Sequence, residues 1–334
     1  MSGPLIVEVR RGGIVESRHR VHAAVVDAEG RLLHATGDAD LLTFMRSAFK
    51  PLQAAACLVA GVEARFGVRP EELAVACASH VGSDEHVAVV AGLLERTGGS
   101  PEELTCGAHE PLDSDARRRL AGGRPTVLHS NCSGKHALMT AACRAAGWPV
   151  EGYARPDHPL QQRILELAAR AAGVPRDELR FGVDGCGLPA PAFTLRQMAS
   201  IFAQMSAGGA SLTEEERAAV RRVIAAMRAH PHLTRGRGHF PVELMERARL
   251  WAKPGADGVL CVGPETGDWG FALKVEDGGS RAEAPAAMAL LERFGLLRPE
   301  EAEALARWRR PPLRNVAGDV VGEIAVAEGS GGRP

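Results

Sequence analysis

Strand-forming and helix-forming segments are segregated along this chain, and that segregation limits the folds open to it. Residues 5–9 alternate, and residues 21–26 and 32–35 are β-prone runs flanking Asp27-Ala28-Glu29-Gly30, a good hairpin turn. Apart from a short apolar run at 73–77, strand-like runs return late, at 249–253, 259–262, 271–275 and 320–327. Between these ends, apolar residues recur at helical spacing over 47–59, 84–94, 134–146, 159–172, 195–205 and 213–229, with one more helix at 282–294. Pro51 falls early in the first of these, where a first turn tolerates it. Thr213 and the glutamates after it open the sixth with acid at the positive end of the helix.

A strand carries a row of backbone donors and acceptors that must be paired. Strands confined to the two ends of a chain achieve this most simply by pairing with one another. The predicted fold class is therefore α/β: one mainly antiparallel sheet of N- and C-terminal strands, helices packed on it, and a helical lobe of roughly residues 47–248 inserted between. Residues 1–328 are read as a single domain, and the glycine-rich 329–334 as a disordered tail. Residues 73–77 read as a strand-like run, and 270–279 alternate like an antiparallel strand with one wet face.

Composition narrows the partners. The 334 residues carry a net charge of -1 with no basic or acidic tract, which argues against nucleic acid and membrane surfaces. The N-terminus lacks a signal peptide pattern and no apolar run reaches the length of a membrane span, so the expected location is cytoplasmic. Seven cysteines without paired spacing suit a reducing compartment. Of 40 basic residues only four are lysine: Lys50, Lys135, Lys253 and Lys274. Lysine, unlike arginine, can shed its proton or offer a lone pair to a metal, so each is a candidate for chemistry arginine cannot do.

Ser47 and Lys50 stand three residues apart, which puts both on one helix face about 5–6 Å apart at Cβ. A lysine with a lowered pKa there can serve as the base that activates the serine. Ser79 and His80 follow the 73–77 run into a loop; Ser79 is a candidate nucleophile or substrate-holding donor. His80 and His86 are candidate metal ligands, although Ser83-Asp84-Glu85 reads equally as a helix start. Cys132 in Asn131-Cys132-Ser133-Gly134-Lys135-His136 and Cys186 in Asp184-Gly185-Cys186-Gly187 are plausible thiolate ligands for zinc. A further ligand is then needed, with Lys135, His136, His129 and water as the options. Lys253 ends a strand against Pro254-Gly255, where a backbone can approach a ligand closely, whereas Lys274 reads as structural.

Together, Arg46-Ser47-Ala48-Phe49-Lys50-Pro51, Ala78-Ser79-His80, the Asn131–His136 and Asp184–Gly187 segments and Lys253-Pro254-Gly255-Ala256-Asp257-Gly258 resemble the Rhizobium etli-type (class 3) L-asparaginases of the asparaginase II family. The resemblance runs from about residue 5 to residue 327. It implies a fold similar to serine β-lactamases and serine glutaminases. It implies two Ser-Lys tandems, Ser47 with Lys50 and Ser79 with Lys253, with Ser47 the nucleophile. It also implies a zinc ion on Cys132, Lys135 and Cys186, completed by water and aiding substrate binding, with Asp184 close to metal and substrate. The implied reaction is hydrolysis of L-asparagine by a homodimer. Arg46 is the candidate cation for the substrate's carboxylate, Asp184 the acceptor for its amine, and Asn131 a further substrate contact. Asp257, where relatives are expected to carry glutamate, and the arginine-rich 236–240 depart from the pattern. The rivals are a glutaminase, a β-lactamase-like hydrolase and a metal-binding protein with a decayed site.

Overall fold

Residues 7–11 run antiparallel to residues 322–326, so the two ends of the chain share one sheet. The computed structural model describes residues 3–120 and 122–331. In chain order the strands are β1 (Leu5–Arg11), β2 (Ile14–Asp27), β3 (Leu32–Thr36), β4 (Leu42–Phe44), β5 (Phe181–Val183), β6 (Pro189–Thr194), β7 (Leu250–Gly255), β8 (Val259–Pro264), β9 (Trp269–Val275), β10 (Pro312–Arg314) and β11 (Val320–Val326). The helices are α1 (Lys50–Val59), α2 (Val62–Phe66), α3 (Pro70–Ala76), α4 (Asp84–Thr97), α5 (Ser114–Leu120), α6 (Ser133–Ala146), α7 (Pro159–Ala172), α8 (Leu195–Ala207), α9 (Glu214–Ala229), α10 (Phe240–Arg247), α11 (Glu283–Arg293) and α12 (Pro299–Ala304). Among the described residues no helix is long and apolar enough to cross a membrane.

The chain divides into two units. The first gathers residues 1–48, 193–209 and 243–334, and the second residues 49–192 and 210–242.

The first unit is built on an eight-stranded sheet ordered β10-β11-β1-β2-β9-β8-β7, with β3 also paired to β2. Its pairings are antiparallel, as the segregation of strands predicts. The first half of β2 alternates between exposed and covered, while its second half is buried residue after residue. A continuous buried run means that both faces are covered there. Helix α8 packs on β2, β8 and β9, and α11 on β1, β8, β9 and β11. The expected wet face of 270–279 is therefore absent: residues 270–275 are all buried. Gly270 explains how, because a Cβ there would collide with the backbone of Ala199 and Ala203 in α8. Residues 329–331, expected to be disordered, are held instead. Ser330 Oγ accepts from Ile6 N–H at 3.2 Å, and Arg293 donates to the Gly331 carbonyl at 3.0 Å. Residues 332–334 of that expected tail lie outside the described residues.

The second unit is helical. Helix α1 packs against α6, α7 and α9, and α3 against α4, α6 and α9. The start of α9 is capped reciprocally: Thr213 Oγ1 accepts from Glu216 N–H at 3.2 Å, and Glu216 Oε2 accepts from Thr213 N–H at 2.8 Å. The strand-like run 73–77 is a helix, α3, with Cys77 as its C-cap. Its apolar residues are consecutive because it is enclosed on all sides, and such a run does not distinguish a buried helix from a strand. The deciding local signal is Pro70 at the first turn with Glu72 accepting from Arg69 N–H at 2.8 Å.

Two glycines give a contrast. Gly270→Ala is expected to lower stability by about 1–3 kcal/mol through overpacking of α8 on the sheet. Gly92, inside α4 with nothing within 4 Å of where a Cβ would lie, gives the opposite sign. Gly92→Ala raises stability by about 0.4–1 kcal/mol. Urea unfolding midpoints measure both.

Candidate active site

In the helical unit, Lys50 is the first residue of α1 and is 1% exposed. Its ammonium is met by three oxygens: it donates to the Ala78 carbonyl, to Ser79 Oγ at 3.2 Å and to the Asn131 carbonyl at 3.3 Å. Burial pushes its pKa below the usual lysine value and the charge of Lys135 adds to this, with the Cys132 and Cys186 sulfurs opposing. This is an amine brought toward neutrality beside a serine hydroxyl. The serine that it meets in this unit is Ser79, a pairing that the sequence spacing does not single out.

Ser79 lies just past α3, where its N–H donates to the Thr234 carbonyl at 3.0 Å and Val81 N–H donates to the Arg235 carbonyl at 2.8 Å. The adjacent His80 is fully buried. Its Nδ1 accepts from Gly82 N–H at 3.1 Å, so Nε2 carries the proton and donates to Ser133 Oγ at 2.9 Å; Ser133 in turn donates to the Leu128 carbonyl at 3.0 Å. His80 thus ties the Ser79 loop to the start of α6, one residue past Cys132, and has no nitrogen left for a metal. The His86 ring stacks on His80 at 5.0 Å and binds Ser83 through Nδ1 at 2.6 Å.

The cysteine segments also meet within this unit. Cys132 is the N-cap of α6, Lys135 lies one turn on, and Cys186 sits in the turn joining β5 to β6. Lys135 Nζ donates to Cys186 Sγ at 3.1 Å, and all three residues are buried. A hydrogen bond from Cys186, with Lys50 and Lys135 beside it, holds Cys132 well below the ordinary thiol range despite burial. The same hydrogen bond, together with burial, pushes Cys186 up. Lys135 is raised, because the two sulfurs and Asp184 outweigh its burial. Of the alternative ligands, His136 places Nδ1 against the Tyr153 hydroxyl at 2.6 Å and leaves its buried Nε2 without a hydrogen-bond partner, and His129 Nδ1 faces Thr126 at 3.0 Å. Asn131 N–H donates to His109 at 2.8 Å. Asp184 Oδ1 accepts from Gly185 N–H at 2.8 Å. Among the described residues no group of three or more His, Cys, Asp or Glu gathers as a metal site.

In the sheet unit, Ser47 lies in a 3-10 turn, Arg46–Phe49, that precedes α1 directly. Lys253 on β7 is fully buried and its Nζ donates to the Pro254 carbonyl at 3.0 Å. Arg46 is paired with Asp257, Nη1 to Oδ2 at 2.5 Å. Arg46 and Asp257 also have left-handed backbones, φ 52° and 59°, and no other described residue except glycine does. Such conformations cost on the order of 1–3 kcal/mol each and cluster at functional sites. The sequence points to both residues but to neither the pairing nor the strain, since backbone sign at a non-glycine residue leaves no trace in composition.

The family model for L-asparaginase II matches residues 7–326. The chain belongs to the L-asparaginase II family. No curated protein matches this family member in sequence. Among solved structures it is similar to Mglu in its native form (18% identity, 83% of this chain and 64% of that one, TM-score 0.47) and in its glutamate form (20%, 83% and 61%, TM-score 0.48). It is also similar to a β-lactamase from Mycobacterium bovis (16%, 82% and 94%, TM-score 0.43). The asparaginase II chain thus spans about 64% of the length of native-form Mglu.

The paired histidines of this family member carry a pH prediction. Burial pushes His86 down to about 4 from 6.5, and pushes His80 well below 6.5 as well. A depressed histidine contributes stability that is complete above its unfolded pKa and is lost as pH falls through the folded one. Urea midpoints should therefore fall between about pH 6.5 and 4, with His86 alone worth on the order of 3 kcal/mol. His86→Asn should flatten that slope; an unchanged slope would show that His86 is not held neutral.

Proposed function

We propose that this protein is an amidohydrolase that converts L-asparagine to L-aspartate and ammonia through a serine acyl-enzyme. The observation that carries the reading is Lys50: a buried amine with lowered pKa, against Ser79 Oγ and three residues after Ser47 in a chain of the L-asparaginase II family. Unprotonated Lys50 takes the Ser47 proton, and Ser47 attacks the side-chain amide carbon. Backbone N–H groups hold the developing oxyanion, a contribution of about 10²–10³ in rate per donor. The leaving ammonia takes its proton from Lys50 or from Lys253 acting with Ser79. Water then releases aspartate and returns Ser47. Asp184 and Asn131 are proposed to orient the substrate, and Arg46 to act from its place beside Ser47, paired with Asp257.

Zinc fits the donor set in the helical unit. Cys132 is already driven toward thiolate, Cys186 and Lys135 are in contact, and zinc accepts sulfur and nitrogen at four-coordinate sites. Cys132, Lys135 and Cys186 would hold it, and its positive charge would help anchor substrate. Loading requires Cys186 and Lys135 to give up their protons, so binding should weaken as pH falls. A homodimer is proposed as the assembly.

Ser47→Ala should reduce ammonia release from asparagine by at least about 10³-fold with an unchanged circular dichroism spectrum. Retention of most activity would remove Ser47 as the nucleophile. Release from glutamine alone would make the protein a glutaminase, and hydrolysis of a chromogenic cephalosporin with neither amide cleaved would make it β-lactamase-like.

Elemental analysis of the purified protein should give about one zinc per chain, falling to near zero in Cys132→Ser and Cys186→Ser. A ratio near zero in protein never exposed to chelator would refute the zinc assignment.

A further inference from the structure

The left-handed pair in the sheet unit joins the two segments that carry its candidate catalytic residues. Arg46 immediately precedes Ser47, and Asp257 follows Lys253 by four positions, in the turn between β7 and β8. The segments approach each other at a second point. A Cβ on Gly255 would lie 2.8 Å from the Met45 carbonyl oxygen, so the β7 backbone runs directly against the residue before Arg46. A positive φ at Arg46 turns the chain so that the 3-10 turn begins there, and the Asp257 carboxylate secures that guanidinium from across the sheet unit.

We propose that Arg46 and Asp257 form a latch that positions Ser47 for acyl transfer, holding its turn in register with the strand that carries Lys253. Both are positioning residues. The exposure of the pair argues against a role in overall stability. The Arg46 side chain is 28% exposed and that of Asp257 67%, and an ion pair so solvated adds little to folding. What it does is select one backbone path at a residue type that rarely takes it. Aspartate tolerates the left-handed region better than most residues; arginine does not.

The latch rests on Ser47 being the nucleophile, and it differs in its consequences from a direct contact between Arg46 and substrate. If Arg46 bound the substrate's carboxylate, Asp257 would compete for the same guanidinium. Removing Asp257 would then tighten substrate binding. In a latch, removing either partner lets the Ser47 turn relax, which lowers kcat and leaves KM nearly alone.

The experiment is a kinetic double-mutant cycle on the full-length protein, with Arg46→Gln, Asp257→Asn and the double variant, read as ammonia release from asparagine. Asparagine at 257 keeps the left-handed backbone accessible and removes only the charge. Each single variant should lower kcat about 10- to 100-fold, with KM within about threefold and the melting temperature within about 2 °C. The double variant should be no worse than the poorer single, because the second change breaks a contact already lost. Arg46→Lys should recover part of kcat. A fluorophosphonate probe gives a readout independent of substrate: its rate of labelling Ser47 should fall in parallel. Additive effects on kcat overturn the latch, as does a raised KM in Arg46→Gln with a lowered KM in Asp257→Asn. If Ser47→Ala keeps wild-type turnover, the nucleophile assignment fails and the latch falls with it. Additive effects alongside a strict need for Ser47 remove the latch alone.

Discussion

Burial of lysine is the constraint from which the other features of this protein follow. The four lysines of the chain are 1%, 4%, 0% and 8% exposed, in the order Lys50, Lys135, Lys253 and Lys274. An ammonium taken out of water must be met by acceptors or give up its proton, since the unpaired charge costs several kcal/mol even after relaxation. The chain answers differently at each position. Lys50 is surrounded by backbone carbonyls and a hydroxyl, which stabilise it without neutralising it. Lys135 faces two sulfurs, one driven toward thiolate, and is held charged. Lys274 turns back to the carbonyls of Val275 and Glu276 at its own strand end. Arginine's larger planar head and fixed charge would not fit these settings, which accounts for lysine surviving here in a chain that otherwise uses arginine.

The fold supplies those acceptors through close backbone approach. Gly134 follows Cys132 by two positions, and a Cβ there would strike the Val75 carbonyl in α3. That contact keeps the start of α6 tight against the helix that leads to Ser79. His80 reinforces it, since its two ring nitrogens join the Ser79 loop to Ser133. In the sheet unit Gly255 and the Arg46–Asp257 pair do the same for Ser47 and Lys253. The candidate catalytic side chains are thus set by glycines, by one ion pair and by one fully used histidine.

Much of this is legible in the sequence. The terminal strands, the hairpin around Asp27–Gly30 and the helix beginning at Pro159 follow from period, caps and turn residues, which act locally. Cys132, Lys135 and Cys186 come together as their motifs imply, across more than fifty positions. Three features are not legible, each for a physical reason. The 73–77 run reads as a strand because complete burial erases the period that separates helix from strand. The wet face expected for β9 is absent because packing by α8 is a tertiary fact, hinted at only by Gly270. The contact of Lys50 with Ser79 joins residues 29 positions apart, and the reach of a lysine side chain is not encoded in spacing.

The scarcity of lysine also makes the proposed base at Lys50 directly measurable. With four lysines, selective ¹⁵N labelling yields at most four side-chain amine signals, assignable by single substitutions. The Lys50 signal should titrate below the ordinary lysine value of 10.5, because burial disfavours its charged form. A Lys50 amine that titrates at or above 10.5 would contradict that role, since such a group could not serve as the base beside its serine.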